Sequence, residues 1–353
     1  MTEIQRKLTV WVVSDGVAGH YRQSEGVVLA LQQLADVEAY WLTIRLKNGV
    51  YRQLLKWQIN RGTFPMATLR LAYQDMSLPE QRPDVVIGAG GKSMYAVAVL
   101  AKYYQAKAIF IGSLRGLSPQ VFDAVLTIDA DLPAPYVSLP VAPMPITADT
   151  LAKAKADWQK VHPNLVITPN KPVWAMLIGG DGAGVHYSQS DWQQLAKALN
   201  ALANKHGIQW LVTTSRRTPV EAESILQQML DPSAILQAVY WHQAPQKVMQ
   251  AYLALASRIF VTAESMTMVT EAIYAKASDG DKAVSACLPL SLAELASQDA
   301  NHARHLQALV DKELLTLTDM RLIALDSKSV TPSKKSTAVG LDSLLPILAK
   351  IIQ

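Results

Sequence analysis

The stretch SDGVAGHYRQ, residues 14–23, follows the apolar run LTVWVV. Gly16 and Gly19 permit a tight turn and a close ligand approach. His20 and Gln23 come next, where a helix is expected to begin. Backbone amides and the helix dipole there favour a negative or developing-negative oxygen. An imidazole at that point can take a proton from a hydroxyl near neutral pH. The alternative is a histidine that only caps a loop. The spaced GxGxxG of dinucleotide binders is missing, which argues against a nicotinamide enzyme.

Four further stretches follow the same plan. In GAGGKSMYA (88–96), Gly90, Gly91, Lys92 and Ser93 could hold an anionic or hydroxylated group, although the P-loop spacing is absent and Lys92 could equally be a plain surface lysine. In LIGGDGAGVHYS (177–188), Gly179, Gly180, Gly182 and Gly184 make a loop whose amides could wrap a diphosphate. So many glycines exceed what a turn alone needs, which favours ligand contact. In VTTSRRTP (212–219), Ser215, Arg216 and Arg217 suit phosphate recognition, unless one arginine is simply exposed and the other pairs with an acid. In VTAESMTMVTEAI (261–273), Ser265, Thr267 and Met268 sit at a strand-to-helix junction. Glu271, one turn deeper, could accept both hydroxyls of a ribose or could pair with a lysine.

Regular elements must position these turns. Apolar runs near 8–13, 37–44, 84–90, 106–112 and 124–128 alternate with helical stretches, the mark of a parallel sheet covered on both faces. The run LPAPYVSLPVAPMPITADT then holds five prolines and reads as an extended connector, with a hinge near 133–172. Alternation resumes with strands near 173–180, 208–215, 238–242 and 258–265. A polar loop near 326–340 and a short terminal helix close the chain. The expected architecture is α/β, with two Rossmann-like domains whose parallel sheets face a central cleft. The domains are placed at 1–150 and 151–325, with 326–353 as loop and terminal helix. No strict sequence repeat is visible. Ligands in such sheets bind beyond the carboxyl ends of the strands.

Composition narrows the function classes. The 353 residues suffice for two domains, and half are apolar. No apolar run reaches the ~18–20 residues of a membrane span. A single cysteine, Cys287, excludes an intramolecular disulfide and a cysteine-based metal site, and fits a reducing, cytoplasmic setting. The net charge of +4 is modest but uneven: Tyr40 to Gln74 contains Arg45, Lys47, Arg52, Lys56, Arg61 and Arg70 and no acid. Val50, Leu54 and Trp57 share one helical face there. That face is expected to pack on the sheet with basic residues outside. A peripheral contact of residues 45–70 with an anionic membrane is the other reading.

In order, VSDGVAGHYRQSEGVVLAL, VIGAGGKSMYAVAVLAK, LIGG, TTSRRTP and VTAESMTMVTEAI resemble the mitochondrial-fission Elm-like family over roughly residues 8–325. The resemblance implies a GT-B-like fold akin to nucleotide-sugar glycosyltransferases and epimerases. DGVAGH also resembles the glycine-rich, histidine-ending loop of the peptidoglycan N-acetylglucosaminyltransferase. By that analogy His20 serves the acceptor, Glu271 the ribose, and Ser265 with Thr267 the diphosphate.

These readings lead to a glycosyltransferase that moves a sugar from a nucleotide-sugar to an acceptor hydroxyl, lipid-linked or part of a cell-envelope glycan. Catalysis falls to His20. The acceptor side comprises Gly16, Gly19, Gln23, Gly90, Gly91, Lys92 and Ser93. The donor side comprises Gly179, Gly180, Gly182, Ser215, Arg216, Arg217, Ser265, Thr267, Met268 and Glu271. No metal and no cofactor beyond the nucleotide-sugar co-substrate is expected, nor any nucleic acid. The Asp129–Asp131 pair reads as a strand-end loop rather than a metal-binding DxD. A nucleotide-sugar 2-epimerase, drawing on His20, Asp181, His186 and Glu264, is the first alternative. A non-catalytic binding or scaffold protein is the second.

Overall fold

The computed structural model describes residues 7–74, 76–168, 170–278, 283–290, 300–321 and 339–353. The chain divides into two compact units, one formed by residues 1–145 with 338–353 and the other by 146–337.

The first unit begins with β1 (Lys7–Ser14), α1 (Ala18–Gln32) and β2 (Asp36–Thr43). A small antiparallel pair, β3 (Arg45–Leu46) and β4 (Tyr73–Gln74), brackets α2 (Gly49–Asn60) and α3 (Met66–Ala72). Then come β5 (Val85–Ala89), α4 (Met94–Tyr104), β6 (Lys107–Ile111), β7 (Ala124–Thr127) and β8 (Tyr136–Ser138). The parallel sheet runs β2-β1-β5-β6-β7-β8. Every residue of α4 from Met94 to Ala101 is buried, which explains why that helix reads as apolar all round.

The second unit opens with α5 (Ala148–Val161), β9 (Val173–Leu177), α6 (Gln189–His206), β10 (Gln209–Thr213) and α7 (Val220–Met229). It continues with β11 (Ile235–Val239), α8 (Met249–Leu255), β12 (Arg258–Thr262), α9 (Met266–Ser278), β13 (Ala283–Leu288), α10 (Ala300–Asp311) and β14 (Thr316–Asp319). Its parallel sheet runs β11-β10-β9-β12-β13-β14. All five residues of β9 are buried, as a central parallel strand requires. Ser188 and Asp191 form a capping box at the start of α6, and Gly207 stops the helix in the left-handed region. Trp174, Trp210 and Phe260 pack as a cluster of rings in the core.

Four sequence expectations change. The proline-rich connector is not extended throughout: Tyr136–Ser138 adds an edge strand, and α5 follows, opened by a capping box of Thr147 and Thr150. The third strand of the second unit ends at Val239 instead of running to His242. β13, α10 and β14 were not anticipated. The fourth change concerns α2. Its core-facing residues are Leu55 and Ile59, on the side of the helix opposite the stripe of Val50, Leu54 and Trp57. Those three are 76%, 38% and 53% exposed, and Arg61 lies over the Trp57 ring at 4.4 Å.

The terminal helix α11 (Leu345–Ile352) buries Leu348 and Ile351 and packs on α1, so the chain end returns to the first unit. Most of the polar loop expected at 326–340 lies outside the described residues. Among the described residues no helix is long and apolar enough to cross a membrane.

Candidate functional site

Each sheet has one point where successive connections diverge to opposite sides, and ligands of open α/β sheets bind there. In the first unit that point lies between β1 and β5. In the second it lies between β9 and β12. The five stretches singled out in the sequence end at or beside these two points.

In the first unit, α1 begins at Ala18, so His20 occupies its first turn. The Asp15 carboxylate lies 3.0 and 3.1 Å from His20 Nδ1. A carboxylate only accepts, so the ring points its Nδ1–H at Asp15, which makes Nε2 the nitrogen that can serve as a general base in the neutral ring. Asp15 Oδ1 also accepts the Val17 N–H at 3.2 Å, which fixes the carboxylate against the turn. The His20 ring lies against Gly90: a Cβ there would sit 2.2 Å from Cε1 and Nδ1. Gly90 is therefore needed both for its φ of +84° and for the space that the imidazole fills.

Gly16 makes the turn at φ +78°, whereas Gly19 already lies in the first turn of α1; Gln23 is half-buried one turn along, and Gly91 faces the Arg115 side chain. Lys92 is exposed, and its carbonyl accepts the hydroxyl of buried Tyr73. Ser93 departs from expectation. It is fully buried, and its hydroxyl lies 2.7 Å from the Ala89 carbonyl and 3.0 Å from that of Gly90. Its donor capacity serves the turn, so it does not face a ligand.

In the second unit the glycine loop closes over side chains from two other segments. A Cβ on Gly179 would lie 1.9 Å from Glu264 Oε1, and one on Gly182 would lie 2.2 Å from Arg217 Nη1. Gly180 has φ +99°, and its Cβ would meet the Arg217 carbonyl at 2.4 Å. The excess of glycine, read from the sequence as room for a ligand, is thus required by Arg217 and Glu264. Arg217 Nη2 reaches Glu264 Oε1 at 3.3 Å, while Arg216 beside it is exposed. Ser215 donates to the Gly179 carbonyl and accepts the Arg217 N–H at 3.1 Å, so its hydroxyl shapes the loop.

Glu264 is the most perturbed acid described. Burial raises its pKa to about 8, against the lowering influence of Thr262, Arg217 and Tyr187. The Tyr187 hydroxyl lies 3.3 Å from Oε2, and burial pushes its own pKa well up. Ser265 is buried at the start of α9, Thr267 and Met268 are half-buried in its first turn, and Glu271 is buried one turn further. The three helix-start residues and the glycine loop thus share the carboxyl ends of neighbouring strands β12 and β9.

Sequence reasoning did not single out Asp15, nor the pairing of His186 with Asp181. His186 Nδ1 lies 3.1 Å from Asp181 Oδ2. A usable signal was present: D-G-x-x-x-H occurs at 15–20 and again at 181–186, in the loop that follows the first strand of each unit. The histidine meets the aspartate five residues earlier in both copies. Among the described residues no three His, Cys, Asp or Glu side chains gather as a metal cluster.

An uncharacterized protein of Rickettsia prowazekii is 23% identical over 374 positions, covering 94% of this chain and 97% of that protein. The UDP-GlcNAc 2-epimerase of Methanocaldococcus jannaschii superposes with a TM-score of 0.56 at 10% identity, over 98% of this chain and 100% of the other. MurG of Acinetobacter baumannii gives 0.46 at 15% identity, over 98% and 91%. The epimerase likeness establishes the expected α/β architecture of two Rossmann-like halves, the GT-B-like fold. Residues 18–337 match the mitochondrial fission ELM1 family, and the chain belongs to that family.

Proposed function

We propose that the protein is a glycosyltransferase that moves a sugar from a nucleotide-sugar to an acceptor hydroxyl. The single observation that carries this reading is the buried Asp15 carboxylate beneath His20 Nδ1. It holds the imidazole as a base whose Nε2 can accept the acceptor's proton as its oxygen attacks the anomeric carbon. The second unit supplies the donor side. The amides of Gly179, Asp181 and Gly182 bond within the fold, so the exposed Arg216 and the start of α9 are the groups that offer positive charge and N–H donors to a diphosphate. In this reading Glu271, buried one turn further along α9, accepts the ribose hydroxyls. Charge developing on the leaving diphosphate is met by these cationic and amide groups.

The Asp181–His186 pair favours a second reading, a nucleotide-sugar 2-epimerase, because that chemistry needs acid/base groups around the donor itself. Proton NMR of UDP-N-acetylglucosamine incubated with the enzyme alone separates the two. A transferase leaves the sugar's configuration unchanged until an acceptor hydroxyl is added. Appearance of the 2-epimer without acceptor would exclude transfer as the primary activity.

The same reading includes a lipid-linked or cell-envelope acceptor and a peripheral membrane contact. Support comes from α2, whose outward stripe joins Val50, Leu54 and Trp57 to Arg61 within an acid-free segment. Exposed apolar side chains beside basic ones suit an anionic interface. Trp57→Ala with Leu54→Ala is expected to lower partition onto vesicles containing phosphatidylglycerol by about tenfold, since each loses buried apolar area on docking. Equal partition of the double variant would remove this part of the reading.

A further inference from the structure

Glu264 and Arg217 form a pair with one buried and one accessible partner. The glutamate side chain has no solvent exposure, whereas that of Arg217 is more than a third exposed. The contact is a single one at 3.3 Å, and Arg217 Nη1 extends 3.5 Å from the Asp181 carbonyl at the surface of the loop. The guanidinium therefore lies between an interior carboxylate and the outer face of the glycine loop. The backbone of Gly179 packs against the carboxylate, leaving no room for a Cβ between them.

We propose that Glu264 is a positioning residue that holds Arg217 under the 179–184 loop, and that a nucleoside diphosphate bound there takes over the guanidinium while the Glu264 carboxyl is neutral, taking up a proton from solvent wherever it was ionised. The inference rests on the nucleotide-sugar reading of this loop. The only covalent change is one O–H bond formed on the carboxylate. A buried carboxylate that loses its cation and gains an anionic neighbour is stable only when protonated. Its own environment already leans that way, since burial holds the group near a pKa of 8 before any ligand arrives.

The consequence is a pH-dependent affinity. Below the pKa of the free protein the carboxyl is already neutral, and binding needs no proton. Above it, binding must draw one, and affinity falls about tenfold per pH unit. The groups facing Glu264 are Arg217 from the loop after β10, Tyr187 from the loop after β9 and Cys287 at the end of β13. Burial pushes both the tyrosine and the thiol up, away from this range. His302 Nε2 meets the neighbouring Ala263 carbonyl at 3.0 Å, and Asp181 with His186 lies on the same loop.

The test is UDP affinity by calorimetry on the full chain at pH 7 and pH 9. The wild type is expected to lose about tenfold across this interval and to show proton uptake at pH 8–9 when buffers of different ionisation heat are compared. Glu264→Gln should change less than about twofold, and His186→Asn should keep the wild-type profile. Tyr187→Phe removes a hydrogen bond that stabilises the carboxylate, so the break should move to higher pH, which gives a second readout if Glu264→Gln does not fold. A Glu264→Gln profile as steep as the wild type, or a flat wild-type profile with binding intact, would overturn the proposal alone. Absence of UDP binding at pH 7 would overturn both it and the donor-site reading.

Discussion

The two D-G-x-x-x-H turns have the same spacing and opposite burial. In the first unit the Asp15 side chain is 4% exposed and His20 33%; in the second, Asp181 is 42% exposed and His186 65%. The inward position that Asp15 holds in one turn is taken in the other by Glu264, delivered from the neighbouring strand end. Spacing alone sets which atoms meet. Burial sets what the meeting does, because water screens an exposed ion pair and leaves it a small orienting influence. The first turn is thus equipped to hold one imidazole in a fixed state. The second exposes its dyad and keeps its buried carboxyl beneath the loop.

The contrast breaks most sharply at His20. His20→Ala is expected to reduce sugar transfer by ~10²–10⁴-fold while leaving UDP affinity unchanged, measured by product formation and calorimetry. Next comes the orienting carboxylate. Asp15→Asn should reduce transfer on the order of 10²-fold, since the ring stays but its tautomer is no longer fixed. Loss of UDP affinity in either variant would place His20 in donor binding instead.

Stability separates the turns as well. Gly180→Ala would force a side chain against the Arg217 backbone at positive φ, and should destabilise the fold by about 1–3 kcal/mol in denaturant titration. Gly90→Ala also meets a positive φ, but its Cβ would strike the His20 ring rather than backbone, so it should cost activity as well as stability. Glu264 adds a pH signature. Its pKa is raised on folding, from 4.5 to about 8, so its contribution is full below about pH 4.5 and is lost as pH rises through about 8. The unfolding free energy should fall with pH across that window in the wild type, and Glu264→Gln should lose this slope. The smallest effect belongs to the exposed dyad: under a transferase reading, Asp181→Asn should change transfer by less than about threefold, as expected of a screened pair. A loss as large as that of Asp15→Asn would erase the distinction and favour the epimerase.

Much of this arrangement was legible in the residues. The alternation of apolar runs and helices gave the two parallel sheets, and the glycine-bearing turns fell at the strand ends where ligands bind. The rest depended on tertiary facts. The side of α2 that meets the core was ambiguous because the helix carries apolar residues on opposite faces, Leu55 and Ile59 against Val50, Leu54 and Trp57. Helix α5 was hidden by the prolines before it, although Thr147 and Thr150 signalled its start. The glycines at 179, 180 and 182 looked like space for a ligand because Arg217 and Glu264, which fill that space, arrive from segments about 35 and 80 residues away. Ser93 looked available because nothing local shows that its hydroxyl turns inward onto Ala89 and Gly90.

The proposed donor site in the second unit is tested most directly by hydrogen exchange of backbone amides with and without UDP-N-acetylglucosamine. Slowed exchange is expected in peptides covering 178–187, 214–218 and 263–272, and it should persist in His20→Ala. Protection confined to residues 15–23 and 88–93, with the second unit unchanged, would contradict it.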